Sequence, residues 1–473
     1  MTLPPSSVPI AVATDRLDSA GEKPLDTAIS DFLRVLRRPA HLLIAISGGS
    51  DSTGLLVALS EAVSALPSAD VRLSAATIDH ALRPEAASEA KAVAALCARL
   101  GIPHVIRRWN GDKPASGISA AAREARYHLL SGIADELGAT AIVTGHTSDD
   151  QIETVTMRAA RQTPLDVSFP QPIDGSGPPR FAIGLSGMAE ATLLDGRHWI
   201  LRPLLGIGRA GIRRFLFARD LGWIDDPSNL DDHYERVRIR QTLSAETQAA
   251  SGLLLSIAAA GQARAALSRA AAGWLEAHAT VCHGVVAKIS ADGLPQDASD
   301  AATRHALSTL AAVLGGRAHG LSQASSDRLM AFLEAGVSGR MTAGRVVFDR
   351  RRDALYLLRE NRGLPVLIVG AGESGLWDGR FSVDNRSAHP VTITPGGGTI
   401  TPGGERVRHP ELPPGVAKLA VKSLPHSDPE FGDTLRISPY LAPFDRFLPA
   451  FDLALANRLA LLMGRDTYLL PPA

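Results

Sequence analysis

The chain of 473 residues has only two cysteines, Cys97 and Cys282, and no excess of charge of either sign. So few cysteines rule out a disulfide framework and any zinc or iron–sulfur site built from thiolates, and they suit a reducing cytoplasm. With 49 basic and 49 acidic residues, no global field draws the protein to RNA, DNA or an anionic membrane, although a local arginine patch still could. An uninterrupted apolar run of about eighteen residues is missing, so no transmembrane helix and no membrane partner are expected. Residues 1–24 carry proline and serine but no basic start followed by an apolar core. They read as a loose N-terminal extension, not as a signal peptide.

What the chain does contain is 45% hydrophobic and 21% charged residues, the balance of a soluble globular protein. Its length calls for two or three domains. The stretch LLIAISGGSDSTGLLVAL, 42–59, reads as a buried strand, a turn and the start of a helix. Gly48 and Gly49 permit a close backbone approach, and Ser50, Asp51 and Ser52 fall at the helix N-terminus, where unpaired N–H groups favour an anion. No lysine follows the glycines, so this is not a Walker A loop. Ser47, Ser50 and Ser52 offer hydroxyls to phosphate. Asp51 beside phosphate calls for a cation between them, which suggests Mg²⁺. Turns of this composition also serve as plain connectors.

The strand and helix pattern repeats: a strand over 71–79, a helix over about 85–100, a strand over 104–109, a helix over 119–137 and a strand over 140–144. Alternation of this kind predicts an α/β, doubly wound parallel sheet with ligands beyond the carboxyl ends of the strands. Residues 162–183 form a Pro- and Gly-rich insertion, and order resumes with a strand over 199–205 and a helix over 209–221. The expected divisions are a catalytic domain over 25–245, a mainly helical domain over 246–362 that ends in a hairpin, and a mainly β domain over 363–473.

Further candidates sit at the strand ends. GHTSDDQIET, 145–154, offers His146 and Asp150 to ATP, metal or a reacting base, while Asp149, Asp150 and Glu153 also suit a helix N-terminus with no further role. In DHALR, 79–83, Asp79 is either a cap or a ligand-binding group, and Arg83 either a surface charge or part of the same crevice. Arg123 and Arg126 share one helical face, as an ion-pair stripe or as a clamp on phosphates. The basic stretch 202–240, with Arg209, Arg213, Arg214, Arg219, Arg236, Arg238 and Arg240, is the best candidate for RNA contact, although nearly as many acids lie among these arginines and composition alone favours a solvated charged face.

In order, SGGSDS, DHALR, AAREARY, GHTSDDQIET, GLSGM, RPLL and LGWIDDPSN resemble the tRNA(Ile)-lysidine synthetase family of N-type ATP pyrophosphatases, over residues 41–242. The resemblance implies a PP-loop fold like that of the adenine nucleotide α-hydrolases. It also implies ATP-dependent ligation of L-lysine to the wobble cytidine of the isoleucine tRNA with anticodon CAU. ATP would adenylate the cytosine 2-oxygen and release pyrophosphate; the lysine ε-amine would then displace AMP, changing decoding from AUG to AUA and charging from Met to Ile. By motif position, Ser47, Gly48, Gly49, Ser50, Asp51 and Ser52 would hold ATP, Asp51 would hold Mg²⁺, and Arg123, His146 and Asp150 would join Asp51 in the catalytic set, with Arg126 beside them. Three features depart from the family pattern: Thr147 stands where a second histidine is common, the 162–183 insertion is long, and Val237 replaces a common asparagine. The rivals are a tRNA thiolation ATPase, whose cytidine-specific type needs a C-x-x-C set that this chain lacks, GMP or NAD synthetases without the later motifs, and a noncatalytic tRNA-binding protein.

Overall fold

Leu42, Leu43 and Ile44 are fully buried and lie in β1 (Ala40–Ala45), a strand with no exposed position. The computed structural model describes residues 23–114, 116–162, 183–225, 247–295, 299–396 and 412–473. These form two compact units, one running to Gln262 and including Leu470–Ala473, the other comprising Ala263–Leu469.

In the first unit β1 is flanked on both sides by parallel strands, β2 (Val71–Asp79) and β4 (Ala141–Thr144), so that Leu42 lies opposite Leu73 on one side and Ala141 on the other. Adding β3 (His104–Arg108), β5 (Ala191–Leu194) and β6 (His198–Leu201) gives the order β5-β6-β4-β1-β2-β3. All of these neighbours are parallel except β5 and β6. The chain winds from β1 towards β3 and then returns to place β4 on the other side of β1. The switch of direction therefore falls between β1 and β4, where an open α/β sheet leaves a crevice at its carboxyl edge. The helices are α1 (Leu25–Val35), α2 (Ser50–Ser64), α3 (Ala86–Arg99), α4 (Ile118–Leu137), α5 (Ser148–Gln162) and α6 (Arg209–Phe217). A Cβ on Gly54 would overlap Ile212, so the glycine lets α2 and α6 pack closely.

The doubly wound parallel sheet is present as expected, with corrections at its ends. The strand expected over 199–205 stops at Leu201, because Pro203 has no N–H to continue a ladder. The helix expected to reach Leu221 ends at Phe217, and Asp220 turns the chain with φ 53°. The unanticipated β5 is joined to β6 by Asp195 and Gly196, at φ 49° and 66°, as a tight antiparallel hairpin requires. Residues 163–182 of the expected insertion, Arg236, Val237, Arg238 and Arg240, and residues 1–22 lie outside the described residues.

Helix α7 (Thr247–His278) contains the boundary between the units, which therefore does not fall at 245/246. Within 246–362 the expected helices are present, with α8 (Ala301–Gly315) and α9 (Gln323–Glu334) following α7. So, however, is an antiparallel sheet of β7 (Ala279–Cys282), β8 (Val286–Ser290), β11 (Ala354–Arg359), β10 (Val346–Arg350) and β9 (Gly339–Ala343), in that order. The expected hairpin is the β10–β11 pair, with Phe348 opposite Leu357. The other strands are short and alanine-bearing, and only the company of β10 and β11 gives them a sheet to join. Beyond residue 362, two three-stranded sheets support the mainly β reading, accompanied by α10 (Pro414–Lys422) and α11 (Leu453–Leu462). Val286, Tyr356 and Leu358 share one core with Trp377, Phe381 and Val416, so 362/363 does not separate two cores.

Candidate active site

The turn after β1 is built by its own backbone and hydroxyls. Gly48 has φ 90°, and a Cβ there would lie 2.7 Å from Ile224 Cδ1. The Ile224 N–H donates to the Gly48 carbonyl at 2.9 Å, so the segment after α6 lies directly against the turn. The Ser52 hydroxyl accepts from the Ser47 N–H at 3.2 Å and donates to the Gly49 carbonyl at 3.2 Å. Ser50 Oγ donates to Asp51 Oδ1 at 2.9 Å. Those two hydroxyls therefore shape the loop, whereas Ser47 is exposed. No side chain caps α2 at Gly49, so its first turn faces the crevice with backbone N–H groups, an arrangement suited to phosphate.

The turn after β4 rests on the same loop. A Cβ on Gly145 would lie 2.8 Å from the Asp51 carbonyl oxygen, a spacing that only glycine permits. His146 and Asp150 are thereby brought beside Asp51. His146 Nδ1 bonds the Thr144 hydroxyl at 2.8 Å, and that hydroxyl donates to the Leu201 carbonyl at 3.4 Å. The Thr144 hydroxyl thus fixes the orientation of the imidazole ring.

Arg209, at the first position of α6, ties these pieces together. Its Nε donates to Asp51 Oδ2 at 3.0 Å, while Nη2 lies 3.6 Å from Asp150 Oδ1 and Nη1 lies 3.8 Å from Glu153 Oε1. Its backbone N–H donates to Asp149 Oδ2 at 2.8 Å. Burial opposes the guanidinium charge, but Asp51, Asp149 and Asp150 outweigh it and hold the group protonated above its ordinary range. Arg209 belongs to the stretch expected to touch RNA; instead its side chain is turned inward onto carboxylates. Sequence reasoning missed this because the partners lie 158 residues apart, and the only signal was an arginine soon after RPLL.

Arg123 joins a neighbouring cluster. Its guanidinium lies 5.0 Å from the centre of the Tyr127 ring, and that of Arg126 lies 5.7 Å away. Burial pushes the Tyr127 hydroxyl up, yet Arg126, Arg123 and Arg202 together bring it below its ordinary value. Buried Arg202, of RPLL, donates to the Ala189 carbonyl at 2.8 Å and to Thr192 Oγ1 at 2.9 Å. It follows Leu201, the residue that receives the Thr144 hydroxyl, so the two clusters are adjacent along β6. Gln151 locks GLSGM in place, accepting from the Met188 N–H at 2.6 Å and donating to its carbonyl at 2.9 Å. Asp79 takes the local role, accepting from the Ala81 N–H at 2.8 Å, and Arg83 pairs with Glu89 at 3.1 Å.

Among the described residues no group of three or more His, Cys, Asp or Glu is arranged to hold a metal. Asp51 alone, completed by phosphate oxygens, nevertheless fits Mg²⁺, which usually takes one or two carboxylates plus substrate phosphates.

The PP-loop domain family matches residues 22–247. A tRNA(Ile)-lysidine synthase of Rhizobium meliloti (strain 1021) is 46% identical over 95% of this chain and 97% of that protein. The chain belongs to the tRNA(Ile)-lysidine synthase family. The synthase of Mesorhizobium japonicum is 40% identical over 89% of this chain and 91% of its own, and that of Brucella canis 34% over 91% and 96%.

Within this lysidine synthase fold, Thr147 has a defined task where a second histidine is common. The Thr147 N–H and hydroxyl donate to Asp150 Oδ2 at 2.8 and 3.1 Å, and the Asp150 N–H returns to the Thr147 hydroxyl at 3.4 Å. This reciprocal pair is a capping box at the start of α5, and it fixes the direction of the Asp150 carboxylate. No helix among the described residues is long and apolar enough to cross a membrane.

Proposed function

We propose that this protein ligates L-lysine to the wobble cytidine of the CAU-anticodon isoleucine tRNA, using ATP. The observation that carries the reading is the contact of the Gly145 turn with the Asp51 backbone, which joins a phosphate-type loop to a carboxylate-rich helix start. The backbone N–H groups of Gly49 to Ser52 hold the ATP phosphates, where fixed donors stabilise charge that develops at the α-phosphorus. Asp51 would hold Mg²⁺, which would supply charge neutralisation on the phosphates. The cytosine 2-oxygen attacks the α-phosphorus, the bond to the bridging oxygen breaks, and pyrophosphate leaves. The lysine ε-amine then forms the new carbon–nitrogen bond as the carbon–oxygen bond to AMP breaks, and the amine proton passes to a nearby base.

Asp150 and Glu153 suit the lysine ammonium, because both carboxylates are buried and already face one cationic side chain, Arg209. His146, its ring oriented by the Thr144 hydroxyl, suits acceptance of the proton. Arg123 and Arg126 place positive charge beside the same β6 segment for phosphate or AMP. A tRNA substrate supports a cytoplasmic site for the reaction.

Purified full-length protein is expected to incorporate labelled lysine into a CAU-anticodon isoleucine tRNA transcript only with ATP and Mg²⁺ present. Folded protein that incorporates none into authentic substrate would overturn the reading.

A further inference from the structure

Resting on that reading, we infer that the outer face of α6 is a docking rail for single-stranded RNA of the substrate, with Phe217 as a stacking platform and Arg213 and Arg214 as phosphate contacts. No acidic residue occurs between Asp195 and Asp220, a stretch that holds Arg197, Arg202, Arg209, Arg213, Arg214 and Arg219. Ile212 and Leu216 bury the inner face of α6, while Arg213, Arg214 and Phe217 are exposed.

Phe217 is 82% exposed and follows Arg213 and Arg214 by four and three residues, one helical turn along the same side of α6. A single exposed ring one turn from two arginines lacks the apolar area of a protein hot spot and suits a base face next to phosphates. Arg213 lies 5.4 Å from the Trp223 ring centre, and its pairing with Asp225 at 3.4 Å joins two exposed side chains, where solvent keeps it weak. Arg219 differs, being clamped by Glu61 at 2.7 and 2.8 Å. Arg214 also borders a cleft of about 330 Å³ lined by Lys23, Asp26, Phe215 and Arg219.

Direction makes the rail more than a patch. Arg209, Arg213 and Phe217 stand at successive four-residue steps on one stripe, about 12 Å from end to end at the helical rise. The stripe starts at the guanidinium on Asp51 and runs outward, so a strand lying along it has one end at the reaction centre.

Filter binding of the CAU transcript to full-length protein tests this, alongside lysine incorporation and thermal melting. Phe217→Ala is expected to weaken tRNA binding about tenfold, the scale of one lost stacking contact. Its melting and its affinity for ATP should match wild type, since the ring is exposed. Phe217→Trp should bind as wild type, and Phe217→Leu as Phe217→Ala. Arg214→Gln should lower the slope of log affinity against log salt by about 0.7, the value for one phosphate on a single strand. Unchanged affinity in Phe217→Ala, recovery by leucine, or an unchanged salt slope overturns the inference and leaves a protein or membrane surface as the use of this face. If wild type incorporates lysine and the variants bind normally, only the rail fails; if wild type binds no tRNA, both readings fail.

Discussion

Asp51 carries three relations at once: the hydroxyl of Ser50, the guanidinium of Arg209 and, through its carbonyl, the close approach of Gly145. Its backbone builds the crevice and its side chain works inside it, so shortening the side chain separates the two roles. Asp51→Ala is expected to lower pyrophosphate release at least 100-fold, the scale of lost preorganised charge stabilisation, while tRNA affinity changes little. A filter-binding assay beside a pyrophosphate assay reads both, and equal loss of the two would mark the residue as structural. Asp51, His146 and Asp150 were legible in the sequence because each sits in a short motif at a strand end. Arg209 was not, since an arginine near other arginines reads as surface until folding shows which carboxylates surround it.

At the scale of the element, α5 shows how one substitution changes what positions a candidate site carboxylate. Where a histidine pair is common, Thr147 makes an N-cap and Asp150 closes the box. Thr147→Ala is expected to cost about 1 kcal/mol, the usual value of a lost cap. Because Asp150 loses its tether, the apparent affinity for lysine should fall more than that for ATP; thermal melts and separate titrations of the two substrates check this. Helix and strand bounds were legible wherever periodicity was long, as in β2, which spans the expected 71–79. The sheet in 246–362 was hidden because Ala279–Cys282 and Val286–Ser290 are too short for alternation to show, and the strand that joins their hairpin to the sheet, Ala354–Arg359, is remote in sequence. The α6 stop was misjudged because Asp220 adopts a left-handed turn that its residue type only weakly announces.

For the molecule as a whole, histidines that burial holds below their ordinary value are expected to set the acid limit. Burial lowers His104 below its ordinary value of 6.5; in His41 burial leads and Arg72 adds to it; in His305 burial leads, with Asp452 opposing and Arg264 adding. A depressed folded value means that the unfolded chain binds more protons, so this contribution is fully present above the ordinary value and is lost as pH falls through it. Melting temperature is therefore expected to hold between pH 8 and about 7 and to drop below about 6.5. His104→Gln, which can keep a bond to Thr77, should flatten that drop; an unaltered profile would assign the acid limit elsewhere. The zero formal charge gave the sequence reading no global field to use, and the local fields at α6 and around Tyr127 emerge only when remote segments meet.

Arg209 offsets part of the negative charge of the carboxylate niche before any substrate arrives. A counter-ion supplied by the chain competes with free divalent cations for the same oxygens, so the metal has reason to enter as the companion of ATP and little reason to enter alone. Free Mg²⁺ is thus expected to raise the melting temperature of the wild type only slightly, and that of Arg209→Ala, which starts lower, by several degrees. The chain in this sense carries its own antagonist of premature metal loading, and equal Mg²⁺ responses of the two proteins would remove that role.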